Sequence, residues 1–207
     1  MKHLVWLAAF TVALLLYGCT PEYLSETELK KFLLDEGNGL RKSIKHDDYE
    51  ATVIFRPSDL LVLQELKSKS VLDSSQLNLL QKKYYNQYYF ILTLSKNGRE
   101  AVTPSTVPTD AFSDVLQNVS FRMGEFVNAT TVKQDTIPLK DFLYNRTFGM
   151  GSGSEVLLVF DKQKAINSEW VQINLGELGL GIGTQHFRFE KARLDNAPKI
   201  DFSKIDN

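Results

Sequence analysis

A single cysteine, at position 19 of 207 residues, is the tightest constraint on how this chain can fold. Lys2 and an apolar run from Leu4 to Leu16 stand ahead of it, and Gly18 directly precedes it. A basic start, a run of about 13 apolar residues and a small residue at the cut are the three parts of an export signal. Spanning a bilayer takes about 20 apolar residues, so the run reads as a cleaved segment. An exported domain with one thiol has no internal disulfide to lean on. Its stability must come from a hydrophobic core. Removing the first 18 of the 207 residues leaves 189, enough for one domain with such a core.

Leu16-Tyr17-Gly18-Cys19 resembles the lipobox of bacterial lipoproteins. The resemblance implies that the Cys19 thiol is alkylated by a diacylglycerol, that the chain is cut before Cys19, and that the new amine is acylated. Tyr17 departs from the family, which more often has a small or aliphatic residue there. Thr20 rather than Asp after the cysteine implies sorting to the outer membrane, with the face left open. The expected organisation is residues 1–18 as signal peptide, 19–24 as lipidated tether and 25–207 as one globular domain. The membrane, reached through the N-terminal lipid, is then the first expected partner.

Charge adds little. Without Lys2 the chain carries 23 basic and 25 acidic residues, with no basic stripe of the kind nucleic acid requires. Along the chain, Ser25 and Glu28 have capping-box spacing, followed by Leu29, Phe32 and Leu33 on one stripe and Gly37 as a stop. That predicts a core-packing helix; the alternative is a membrane-surface helix with Lys30 and Lys31 towards headgroups. Tyr49, Ala51, Val53 and Phe55 alternate as a strand. Pro57-Ser58-Asp59 then starts a helix over Leu60 to Lys67 that is apolar nearly all round. A third helix begins at Asp73, and a strand over Tyr89 to Ser95 leads into Asn97-Gly98, a hairpin signal, with Arg99 to Thr103 returning. Phe112, Val115, Leu116 and Val119 mark a fourth helix capped by Thr109 or Asp110. Strands are expected at Phe121 to Val127, Thr131 to Ile137, Glu155 to Phe160, Trp170 to Leu175 and Gln185 to Lys191. The sum is an α+β fold, with N-terminal helices packed on an antiparallel β-sheet or sandwich formed mainly by the second half.

Catalytic signatures are sparse. His46 and His186 are the histidines beyond the export segment, and neither has a second ligand at metal spacing. His46-Asp47-Asp48-Tyr49-Glu50 reads as a solvated turn. The stretches Gly149 to Ser154 and Gly176 to Gly183 lack the endings of phosphate and dinucleotide loops, and read as turns between strands. No metal or cofactor is expected, and a carboxylate-pair hydrolase without a recognisable motif stands third among the readings. Tyr84, Tyr85, Tyr88 and Tyr89 are half of the eight tyrosines, packed into six positions. Aromatic faces with hydroxyl tips suit sugar rings or protein partners, and make these four the candidate binding residues. Burial at a helix-to-strand junction is the competing reading.

Asp135-Thr136-Ile137 resembles the O-glycosylation motif of exported proteins in some gut and gliding Gram-negative bacteria, with Thr136 as acceptor. The stretch Tyr49 to Leu66, above all Phe55-Arg56-Pro57-Ser58-Asp59-Leu60-Leu61, and the end from Phe187-Arg188-Phe189 to Pro198 resemble uncharacterised single-domain envelope lipoproteins of those bacteria. That resemblance implies no activity. The expected function is a non-enzymatic envelope lipoprotein that binds or scaffolds another envelope component; the alternative is a glycan or small-ligand module.

Overall fold

The computed structural model describes residues 23–69 and 74–204. The export segment, Cys19 and the helix start expected at Asp73 lie outside them. The first ordered pairing is β1 (Tyr23–Leu24), parallel to β12 (Lys199–Ile200), so Tyr23 and Leu24 belong to the domain rather than to the tether. Helix α1 (Glu26–Leu34) follows with the capping box in place: the Ser25 hydroxyl accepts from the Glu28 N–H, and the Glu28 carboxylate accepts from the Ser25 N–H. Leu29 and Leu33 are buried, which makes this a core helix. It stops at Leu34 rather than at Gly37, because the Asp35 side chain takes the Gly37 N–H and opens a new short turn.

Two antiparallel sheets face each other. One is built from β2 (Arg41–His46), β3 (Tyr49–Phe55), β4 (Gln87–Lys96), β9 (Ser154–Asp161) and β8 (Asp141–Asn145), in the order β2-β3-β4-β9-β8, with the two-residue β5 (Arg99–Glu100) also paired to β4. The other is β11-β10-β6-β7, from β6 (Val127–Thr131), β7 (Thr136–Pro138), β10 (Trp170–Leu175) and β11 (Gln185–Glu190). Strand alternation sends Val53, Phe90, Leu92 and Leu158 from the first sheet into one core with Val127, Val171, Ile173 and Phe187 from the second. The layers meet at Phe90 and Phe189, whose ring centroids are 5.1 Å apart, while Phe55, Tyr88 and Phe160 extend the aromatic cluster.

The helical hairpin of α2 (Ser58–Lys69) and α3 (Ser74–Tyr84) forms a satellite core of Val62, Leu66 and Leu80. Its Leu61 and Gln64, together with Tyr84, border the outer face of the larger sheet. Helix α4 (Thr109–Phe121) buries Val115 and Val119 in the main core. Its N-cap is Pro108 without a side-chain bond, and Thr109, expected as a cap, is already helical.

The fold is α+β, with N-terminal helices and antiparallel strands. Asn97 (φ 51°) and Gly98 (φ 73°) make the expected tight hairpin turn, although only Arg99 and Glu100 of the returning segment pair. The strand expected over Phe121 to Val127 is instead the end of α4 and the four-residue helix α5 (Met123–Phe126). Alternating Phe121 and Met123 mimic a strand, but Phe121 points to solvent from a helix end while Met123 is buried. Thr131 to Ile137, expected as one strand, is instead a hairpin: Thr131 ends β6, a turn follows with Gln134 at φ 64° and the Thr131 N–H on the Asp135 carbonyl, and Thr136 begins β7.

Candidate functional site

The four tyrosines do not share a face. Tyr84 closes α3, Tyr85 lies in the turn after it, and β4 alternation then sends Tyr88 into the core and Tyr89 to the outer side. Tyr88 donates to Asp195 Oδ1 at 2.7 Å, and Tyr85 donates to Asp59 Oδ1 at 2.7 Å. Burial, reinforced by those carboxylates, pushes both phenols well above the ordinary tyrosine range, so both remain donors. Burial also pushes Tyr89 up to about 12, and its ring stands edge-on to Tyr84 at 6.0 Å. Tyr84 donates to Glu65 at 2.5 Å. The Tyr84, Tyr85 and Tyr88 hydroxyls are thus each spent on a carboxylate of this chain, and the cluster serves the packing of the helix-to-strand junction.

These bonds tie the last described elements into the fold. Asp59, buried at the start of α2, takes the Tyr85 hydroxyl on one oxygen and the Ile200 N–H on the other at 2.8 Å. Asp195 collects Tyr88, Lys162 and Lys191; burial opposes its ionisation, but the two ammonium groups and the phenol outweigh that and hold it below the usual carboxylate range. A pocket of about 160 Å³ lies between these two anchors, lined in part by Tyr85 and Tyr88.

A larger concavity, about 540 Å³, lies on the outer face of the six-stranded sheet between that face and the α2–α3 hairpin. Register builds its floor: Ile91, Leu157 and Leu143 are cross-strand neighbours on β4, β9 and β8. Leu61 forms a wall, while Arg56, Gln64, Glu65, Tyr84, Asn145 and Glu155 supply polar groups. Leu143 is 64% exposed at the sheet edge, so the floor continues into solvent. Arg56 donates to Gln64 Oε1 at 2.9 Å, while its buried Nε–H has no hydrogen-bond partner among the described residues. Burial lowers its basicity against the attraction of Glu155 and Glu26, and the guanidinium stays cationic. The volume suits a small ligand.

Two glycine-rich loops complete the inventory. In the loop after β8, the buried Glu100 carboxylate accepts from the Gly151 N–H at 2.8 Å and from the Thr147 hydroxyl, and Phe148 and Met150 project outward. Burial works against its ionisation, but these bonds, the Gly149 N–H and Arg146 together hold Glu100 below the ordinary glutamate range. In the loop after β10, the Glu177 carboxylate accepts the N–H groups of Gly179, Leu180, Gly181 and Gly183. Neither loop presents an open anion site, since a carboxylate of the chain already occupies each.

Thr136 is exposed on β7, opposite Thr130. His46 is exposed beside Asp47, and His186 shares a hydrogen bond with Asn174 Oδ1 at 2.8 Å. Among the described residues, no three His, Cys, Asp or Glu side chains are grouped to hold a metal ion, and no helix is long and apolar enough to cross a membrane. Arg56 and the Ile91-Leu157-Leu143 row were missed from sequence. The row follows from strand register alone, because its members lie far apart in the chain.

No protein-family model matches the chain, and no curated protein matches it. Among solved structures it is similar to a crystal structure of a DUF4426 family protein from Pseudomonas aeruginosa PAO1, at 15% identity over 72% of this chain and 91% of that one. The TM-score is 0.36, too low to carry an argument about fold or function.

Proposed function

We propose that this chain is a lipid-anchored envelope protein of the outer membrane, non-enzymatic, whose domain binds or scaffolds another envelope component. The observation that carries this reading is the lone Cys19, which ends an apolar export segment and is followed almost at once by the folded domain. From Cys19 to the first strand residue, Tyr23, there are four residue steps, spanning at most roughly 14 Å when extended. β1 is in turn secured through β12 and the Asp59–Ile200 bond. A tether that short, ending in a fixed strand, would keep the domain against the bilayer.

Cys19→Ala tests the anchor. Metabolic labelling with a radioactive fatty acid is expected to mark the wild-type protein and to be abolished in the variant, which should keep its signal segment. A labelled and correctly cut variant would overturn the lipobox reading. Burial of acyl chains contributes about 0.8 kcal/mol per CH₂, so two or more chains give lasting attachment.

A second reading, a small-ligand module, is favoured by the outer-face groove with its apolar floor and the Arg56 guanidinium on its lining. Co-purification of a stable envelope complex through the wild-type protein supports scaffolding. Saturable binding of a small molecule by the isolated domain supports the second reading.

A further inference from the structure

We propose that the outer-face groove binds an amphiphilic anion, with an aliphatic chain along Ile91, Leu157 and Leu143 and a carboxylate or phosphate head on Arg56. The proposal rests on reading the groove as a ligand site and is independent of the lipid anchor. The geometry supplies both halves. Ile54, Ile91, Leu157 and Leu143 occupy one cross-strand row over β3, β4, β9 and β8. With strands about 4.8 Å apart, that row runs roughly 14 Å across the sheet. The helical hairpin borders one end of the groove with Leu61, and the other end opens at the exposed Leu143. A flexible alkyl chain matches such a track, because its burial is non-directional and scales with the area covered.

The head group is set by Arg56. Its backbone N–H bonds the Tyr89 carbonyl, which fixes it one row from Ile91 on the same face. One terminal nitrogen is used by Gln64, and the buried Nε–H lacks an acceptor among the described residues. The guanidinium lines the groove and is cationic at any ordinary pH, so an anionic oxygen on its groove-facing side gains a charge-assisted bond. Charge also sets the direction of the ligand. Glu65 is already engaged by Lys83 and Tyr84, and Glu26 by Lys30 and Lys67, while Glu155, which like Glu26 attracts Arg56, stands on β9 opposite Thr93. The head therefore belongs at the Arg56 end.

A sugar fits less well. Among the described residues Tyr84 is the one aromatic ring on the groove lining; it stands edge-on to Tyr89 and has the Lys83 ammonium over its face at 4.8 Å. No ring is left open for stacking.

The test uses residues 20–207 without acyl chains, since residues 23–204 hold every described element and the described core. Dodecanoate and dodecyl phosphate are titrated below their micellar concentrations by calorimetry, beside acetate, inorganic phosphate and dodecyl maltoside. Saturable one-to-one binding is expected for at least one of the two anionic amphiphiles, and comparing them separates carboxylate from phosphate. Arg56→Gln and, independently, Leu143→Asp should each weaken it about tenfold or more; Leu143 is exposed, so its variant should fold normally. Absence of saturable binding, or binding unchanged by both variants, overturns the proposal. Dodecyl maltoside binding that responds to Leu143→Asp but not to Arg56→Gln also overturns it, while sustaining the groove as a site for a neutral ligand.

Discussion

The loop after β8 and the loop after β10 are both rich in glycine and both wrapped around one carboxylate, yet their apolar side chains point in opposite directions. Around Glu100, which is 2% exposed, Phe148 and Met150 stand 72% and 86% exposed. Around Glu177, which is itself at the surface, Leu178, Leu180 and Ile182 are buried. The position of the acid explains the difference. Backbone N–H groups must aim at the carboxylate, so an acid inside the fold leaves the loop's side chains for solvent. An acid outside turns the same kind of loop over. Glycine serves in two ways: Gly149 in the first loop and Gly179, Gly181 and Gly183 in the second adopt positive φ, while Gly153 is there because a Cβ would meet Thr93 Cγ2 at 2.4 Å.

The largest effect that tests this contrast is expected from Leu178→Ala. Leu178 is fully buried, and its carbonyl accepts from the Asn118 side chain of α4 at 3.0 Å. Truncation should cost about 3 kcal/mol in urea unfolding, through lost burial and the cavity left behind. A cost under about 1 kcal/mol would mean that the second loop does not rest on the core.

Glu100→Ala comes next, at about 2 kcal/mol, because it removes a buried carboxylate and strands the half-buried Thr147 hydroxyl and Gly151 N–H. Glu177→Ala should cost about 1 kcal/mol or less, since water can replace the exposed carboxylate. Equal costs would remove the distinction between an inner and an outer acid. The pH dependence has a definite sign. Glu100 is held below its unfolded value, near 4.3, so its contribution is complete above that value and fades as pH falls through the folded one. The difference in urea midpoint between wild type and Glu100→Gln should therefore be steady near neutrality and shrink on acidification below about pH 5. A difference that grew in acid would contradict the lowered carboxyl.

Much of the architecture is legible in local pattern. The capping box at Ser25, the alternation from Tyr49 to Phe55 and the Asn97-Gly98 turn each encode their structure within a few residues. The elements missed are those that no local pattern marks. β2 reads Arg-Lys-Ser-Ile-Lys-His and has one strongly apolar residue, so pairing with β3, not periodicity, makes it a strand. β8 hides its alternation because Leu143 is apolar and points outward, into the groove. The glycine loops divide along the same line. Glu177 stands directly beside the glycines it organises, whereas Glu100 lies 51 residues from the Gly151 N–H it accepts. For the candidate site, the tyrosine cluster was conspicuous but absorbed by packing, while the groove depends on a register that no single segment carries.

Gly153→Ala and Gly181→Ala separate space from backbone sign. The first must push the stiff Thr93 side chain and should cost about 1–3 kcal/mol. The second has open space around it but requires a left-handed conformation at φ 75°, for about 1 kcal/mol. A reversed order would mean that the first loop yields more easily than its fixed acid implies.

The smallest stability effect is expected where the exposed side chains are most conspicuous. Phe148→Ser with Met150→Ser should change unfolding free energy by no more than about 0.5 kcal/mol, because neither side chain leaves water on folding. Arg146 lies over the Phe148 ring at 4.7 Å, an exposed cation–π contact worth at most about 1 kcal/mol. The double variant should instead lower retention on a phenyl column and leave the urea midpoint within error of wild type. Loss of stability comparable to Leu178→Ala would mean that the first loop packs its apolar residues as the second does, and the inside-out relation between the two would fail. The strand geometry makes this informative about placement as well. The loop enters β9 at Ser154, opposite Leu94, whereas β1 is secured near the Tyr88 end of β4, six residues or about 20 Å along the strand. Phe148 and Met150 thus emerge at the end of the sheet remote from the N-terminal strand.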